Sequence, residues 1–90
     1  MEDRDLEVTQ YVATFENHYK AMLFKKGMGR GCILRPVPRL LSSSCGTAAF
    51  FQGDDPVTLT EESACLVEAV YRYEGEEGDS NGRYIEVFRQ

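Results

Sequence analysis

Three features of this 90-residue sequence predict an α+β fold built on an antiparallel sheet. Segments rich in Val, Ile, Thr, Tyr and Phe alternate in polarity as half-buried strands do. Between them lie two stretches with helical spacing, each opened by a capping residue. No fixed-period repeat or linker divides the chain, so one domain over residues 1–90 is expected, with 1–6 as a disordered tail.

The elements follow in order. Glu7–Phe15 (EVTQYVATF) is expected to be a strand, with Val8 and Val12 on one face and Tyr11, Ala13 and Phe15 on the other. Asn17 can cap a helix running to about Arg30, with Ala21, Met22, Lys25 and Met28 as a stripe beside Leu23 and Phe24. Both methionines are expected in the core, and Gly27, Gly29 and Gly31 end the helix. Cys32–Val37 reads as a second strand whose Pro36 and Pro38 require an edge or a turn, because neither can donate a ladder hydrogen bond. Thr47–Gln52 is a third strand, and Gly53–Pro56 a turn. Thr58 and Glu61 form a capping box before a second helix through about Tyr73, with Ala64, Val67, Val70 and Tyr71 inward. Glu74–Gly82 is a polar loop, and Arg83–Arg89 is the last strand. The order βαββαβ predicts a ferredoxin-like arrangement with both helices on one face of the sheet.

Composition narrows the function. Ten Lys and Arg stand against fifteen Asp and Glu, a net charge of −5. The charges are segregated: residues 17–53 hold Lys20, Lys25, Lys26, Arg30, Arg35 and Arg39 with no acid, between two acidic flanks. An acidic chain without a basic run interleaved with aromatics is a poor match for nucleic acid, so no nucleic-acid partner is expected. A chain this size buries about 60 to 65% of the surface its unfolded form exposes, which leaves little room for a large substrate cleft. No run reaches the roughly 18 apolar residues of a membrane helix, and the first residues lack a secretory signal's pattern. A cytoplasmic protein without membrane attachment is the expectation. Three cysteines in odd number and without CxxC spacing argue against disulfides and zinc.

The least ordinary stretch is Pro36-Val-Pro-Arg-Leu-Leu-Ser-Ser-Ser-Cys45-Gly46. Three hydroxyls, a thiol and a glycine between two strands are unlike the apolar setting of a structural cysteine, so Cys45 is expected to be accessible. Backbone N–H groups near Gly46 and the hydroxyls of Ser42, Ser43 and Ser44 can face an anion. Arg39, Arg35 and the lysines of the first helix supply positive potential that favours a thiolate. Cys32 and Cys65 each sit among apolar neighbours and read as packing residues. His18, in the first helical turn, is a capping or structural residue that can also stand behind a thiolate. Gly27-x-Gly29-x-Gly31 follows a helix instead of opening one, which excludes a dinucleotide loop. Asp54, Asp55 and the Glu74, Glu76, Glu77, Asp79 cluster match no cation loop, so neither metal nor cofactor is expected.

Thr14-Phe15-x-Asn17, Ala21-Met22, Gly31, Pro36-Val37-Pro38-Arg39 and Ser42-Ser43-Ser44-Cys45-Gly46 together resemble the selenium/sulfur carrier protein-like family of small bacterial domains. The likeness covers residues 10–52 well and the rest by element order. It implies a small cytoplasmic protein that accepts a chalcogen on Cys45 and hands it on, with a cysteine desulfurase or selenium-utilisation proteins as partners. The chain departs from the pattern at Arg35, where an aliphatic residue is usual, and at Phe24-Lys25, where a small and an acidic residue are usual.

The reading is therefore a sulfur or selenium carrier, not a turnover enzyme, with the chalcogen held as a Cys45 persulfide or perselenide. Arg39 favours the thiolate, Ser43, Ser44 and the Gly46 N–H hold the terminal atom, and Arg35 steers. The alternative is an interaction module that pairs through its sheet with a partner or as a homodimer, with Cys45 incidental. A thiol redox protein is a third possibility, without a resolving cysteine nearby.

Overall fold

A computed structural model describes residues 9–41, 43–53, 57, 59–75 and 83–90. The expected tail, Glu7 and Val8 of the first strand, Ser42, the turn at 54–56, Thr58 and the loop at 76–82 lie outside the described residues, and with them most of the two acidic clusters.

The chain forms β1 (Thr9–Thr14), α1 (His18–Met28), β2 (Cys32–Pro36), β3 (Thr47–Gly53), α2 (Glu61–Leu66), β4 (Ala69–Glu74) and β5 (Arg83–Arg89). All five strands join one sheet in the order β2-β3-β1-β4-β5, and each neighbouring pair is antiparallel. The α+β class with two helices holds. The βαββαβ succession runs from β1 to β4 and a fifth strand follows it, so the sheet has five strands where four were expected, because the expected second helix divides. Its first part is the six-residue α2, and Ala69–Glu74 turns into a strand beside β1. Val70, Tyr71 and Tyr73 are β-branched or aromatic, and a free position beside β1 gives their backbone a ladder to complete. The cap of α2 also differs from the expected capping box: Thr60, not Thr58, accepts the Ser63 N–H.

Asn17 caps α1 as its sequence position suggests, accepting the Lys20 N–H at 2.9 Å. Gly29 closes that helix at φ 76°, a left-handed value that a side chain resists, and a 3-10 turn over Gly29–Gly31 leads into β2. Pro36 lies on β2, an edge strand, where its missing N–H costs no ladder bond.

Cross-strand partners point to the same side of a sheet. Tyr11, Ala13, Ala49, Phe51, Cys32 and Val70 thus share the face that α1 covers, and Phe15, Ala21, Phe24 and Val67 complete the core. Phe24 meets Phe15 and Phe51 at ring-centroid distances of 5.4 and 5.6 Å. The expected helical stripe is shifted: Ala21 and Phe24 are buried, Met28 only packs against the core, and Met22 is exposed. The narrow α1 turns a single row inward, and Met22 falls on its outer side. The opposite face of the sheet carries Val12, Phe50, Ile33, Tyr71, Tyr73 and Tyr84 without a helix over it.

Candidate functional site

Pro36 and Thr47 form the last rung of the β2–β3 pair, and the Val37 N–H donates to the Gly46 carbonyl at 3.1 Å just beyond it. The unusual motif is therefore a hairpin loop, and Cys45 stands at its base on the β3 side. The loop turns back at Pro38–Leu41, where the Leu41 N–H donates to the Pro38 carbonyl at 3.0 Å. Arg39 lies exposed in that turn, and Leu40 beside it is 71% exposed.

Serine hydroxyls pin the base of the loop on two sides. Ser43 Oγ donates to the Phe15 carbonyl at 3.0 Å and accepts the Cys45 N–H at 3.2 Å. The first bond ties the loop to the junction of β1 and α1. Ser44 Oγ donates to Glu68 Oε2 at 3.0 Å, tying it to the junction of α2 and β4. Glu68 is itself held by its backbone: its N–H donates to the Thr14 carbonyl and its carbonyl accepts the Gln90 N–H. Its second oxygen, Oε1, is buried and has no hydrogen-bond partner among the described residues.

Cys45 is half-buried, and its Sγ accepts the Thr47 N–H at 3.4 Å. A backbone donor aimed at sulfur stabilises negative charge there. Each hydroxyl has one proton, and those of Ser43 and Ser44 are already donated, so in this arrangement the serines shape the loop. The Gly46 N–H has no partner among the described residues, and a side chain at Gly46 would meet nothing within 4 Å. Gly46 also lacks a positive φ, so it marks no unusual backbone turn.

The remaining candidates lie apart from the sulfur. Arg35 is on the helix-free face of β2, its guanidinium carbon 5.9 Å from the centre of the Phe50 ring. His18 is the exposed first residue of α1. Among the described residues, no hydrogen bond or ion pair joins Arg39, Arg35 or His18 to Cys45. Thr47 and Glu68 are the additions of the tertiary structure. The Thr47 contact follows from its spacing two residues after Cys45, a pattern by which side chains cap their own turns, whereas nothing local marks Glu68.

The three cysteines divide by environment. Cys32 is buried, and desolvation pushes its thiol pKa up, against the lowering influence of Lys25. Lys25 Nζ donates to the Cys32 carbonyl at 2.7 Å. Cys65 does not pack as expected. It is exposed, on a six-residue helix none of whose residues is buried.

A family model described as "Putative Se/S carrier protein-like" matches residues 10–72, a span from β1 into β4 that contains the whole Cys45 loop. The chain belongs to this family. The Se/S carrier match also takes in Glu68 and the strand that follows it, beyond the part of the chain where the motifs lie. No curated protein and no solved structure matches the chain. Among the described residues, no group of His, Cys, Asp and Glu could hold a metal ion, and no helix is long and apolar enough to cross a membrane.

Proposed function

We propose that this member of the Se/S carrier family carries sulfur or selenium on Cys45. The observation that carries the reading is the Thr47 N–H directed at Cys45 Sγ, in a loop tethered by Ser43 to Phe15 and by Ser44 to Glu68. Such a loop holds a sulfur in place without a protein cofactor.

In the loading step, the Cys45 thiolate attacks the terminal sulfur of a donor persulfide. A new S–S bond forms at Cys45, the donor's S–S bond breaks, and the donor leaves as a thiolate that takes up the proton Cys45 released. An acceptor thiolate then attacks the terminal atom, and Cys45 leaves as thiolate. Selenium follows the same course as a perselenide. The free Gly46 N–H and the open space beside it suit the terminal atom, and Arg39 and Arg35 add positive potential on the approach. A cysteine desulfurase or a selenium-utilisation protein supplies the donor. The exposed Cys65 is the rival thiol.

Intact-mass and peptide mass spectrometry after incubation with a cysteine desulfurase and cysteine or selenocysteine tests this in the wild type, Cys45→Ser and Cys65→Ser. One added chalcogen atom on Cys45, lost in Cys45→Ser and retained in Cys65→Ser, is expected. An adduct that persists in Cys45→Ser, or no adduct at all, overturns the assignment and leaves the interaction-module reading.

A further inference from the structure

The helix-free face of the sheet holds an open concavity of about 610 Å3, within the range of small-molecule sites. Its composition is specific. Gln10 and Gln52 are direct partners in the β1–β3 ladder and place two side-chain amides side by side on this face. Tyr73 and Tyr84 are partners in the β4–β5 ladder, with ring centroids 5.1 Å apart, and flank the amides on one side. Phe50, two residues before Gln52 on β3, lies on the same face with the Arg35 guanidinium over its ring. Arg30, exposed in the 3-10 turn before β2, joins Arg35 along the same wall. Among the described residues neither arginine has an ion-pair partner.

From this arrangement we propose that the helix-free face binds a nucleotide. Aromatic rings offer stacking surfaces for a planar base, and a glutamine amide presents a donor and an acceptor together, the pattern that reads the edge of adenine. Guanidinium groups match phosphate oxygens in geometry and charge. Each part of the ligand thus has a counterpart: rings for the base plane, amides for its edge, arginines for its phosphates. The charge balance selects a single nucleotide over a strand. A polyanion gains affinity with each phosphate neutralised, and a chain of net charge −5 with two arginines at this face has little to offer a long one. The site is separate from the Cys45 loop and stands whether or not that cysteine carries a chalcogen.

The test is isothermal titration of the full chain with ADP, in parallel with pyrophosphate, adenosine and a single-stranded RNA oligomer. One saturable ADP site is expected, tighter than either fragment. Arg35→Gln, an exposed substitution, should weaken it about tenfold, as loss of a charge-assisted phosphate contact does. Tyr84→Leu should weaken ADP and adenosine together and leave pyrophosphate unchanged. Absence of saturable ADP binding overturns the proposal. So does pyrophosphate binding as tightly as ADP, which would mean charge attraction alone, or RNA binding more tightly than ADP, which would make the occupant a strand. Circular dichroism of both variants shows that the fold is intact, and an unchanged ADP affinity in folded Arg35→Gln also overturns the proposal.

Discussion

Ser44 and Glu68, 24 residues apart in sequence, meet in a 3.0 Å hydrogen bond that fastens the Cys45 loop to the start of β4. The carboxylate has one oxygen bonded to the serine and a buried one without a hydrogen-bond partner among the described residues. Removing the serine deprives the satisfied oxygen of its donor, so Ser44→Ala is expected to cost about 1 to 2 kcal/mol. Glu68→Gln removes a charge with a buried, unpartnered oxygen while keeping an acceptor for Ser44, and is expected to be neutral or stabilising. In a double-mutant cycle of Ser44→Ala with Glu68→Ala, which unlike Glu68→Gln removes the acceptor, the double variant should cost less by urea unfolding than the sum of the single changes. Strict additivity would show that the bond contributes nothing to holding the loop.

The short helix α2 depends on its two ends. Thr60 accepts the Ser63 N–H at one end, and at the other the Gln90 side-chain amide donates to the carbonyls of Ala64 and Val67 at 2.9 and 2.8 Å. An isolated helix of six residues has no stability of its own in water. Thr60→Ala and Gln90→Ala should each cost about 1 kcal/mol. They should also speed hydrogen exchange at residues 63–66 more than in β1. Equal acceleration in both elements would mean that α2 opens only with the whole domain.

The exposed pair Glu16–Lys20, one helical turn apart at 2.7 Å, gives a pH signature. The hydrogen bond to Lys20, and then its charge, hold the Glu16 carboxyl below its ordinary value of 4.5. A folded value below the unfolded one contributes stability that is present above pH 4.5 and is lost as pH falls through the lowered value. Following the Glu16 carboxyl carbon by NMR, Lys20→Met should move its midpoint up towards 4.5. An unmoved midpoint would show that the contact does not persist in solution.

What could be read from the sequence was what neighbours in sequence decide. The Asn17 cap and the edge placement of Pro36 follow from local chemistry, and the structure has both. The second helix ends earlier than expected for a physical reason. Ala64, Val67, Val70 and Tyr71 fit a helical stripe, yet Val70, Tyr71 and Tyr73 also suit a strand, and the vacancy beside β1 decided between them. The exposure of Cys65 and Met22 follows from how little of each helix the core needs. At the site, the motif fixed attention on Cys45 and its serines. That the serines' protons go to Phe15 and Glu68 is a property of tertiary contacts that residue spacing does not contain.

The strand order has a consequence for how the molecule comes into being. β1 is the centre of the sheet, but both its partners lie far along the chain, β3 beginning at Thr47 and β4 at Ala69. A nascent chain therefore has its middle strand before it has anything to pair it with, and topologies of this kind fold late and slowly. The ties that set the thiol loop, 28 residues back to Phe15 and 24 forward to Glu68, form only when that closure is complete. Until then Cys45 lies on a chain without those ties, so assembly of the sheet is the step that gives its loop a fixed shape.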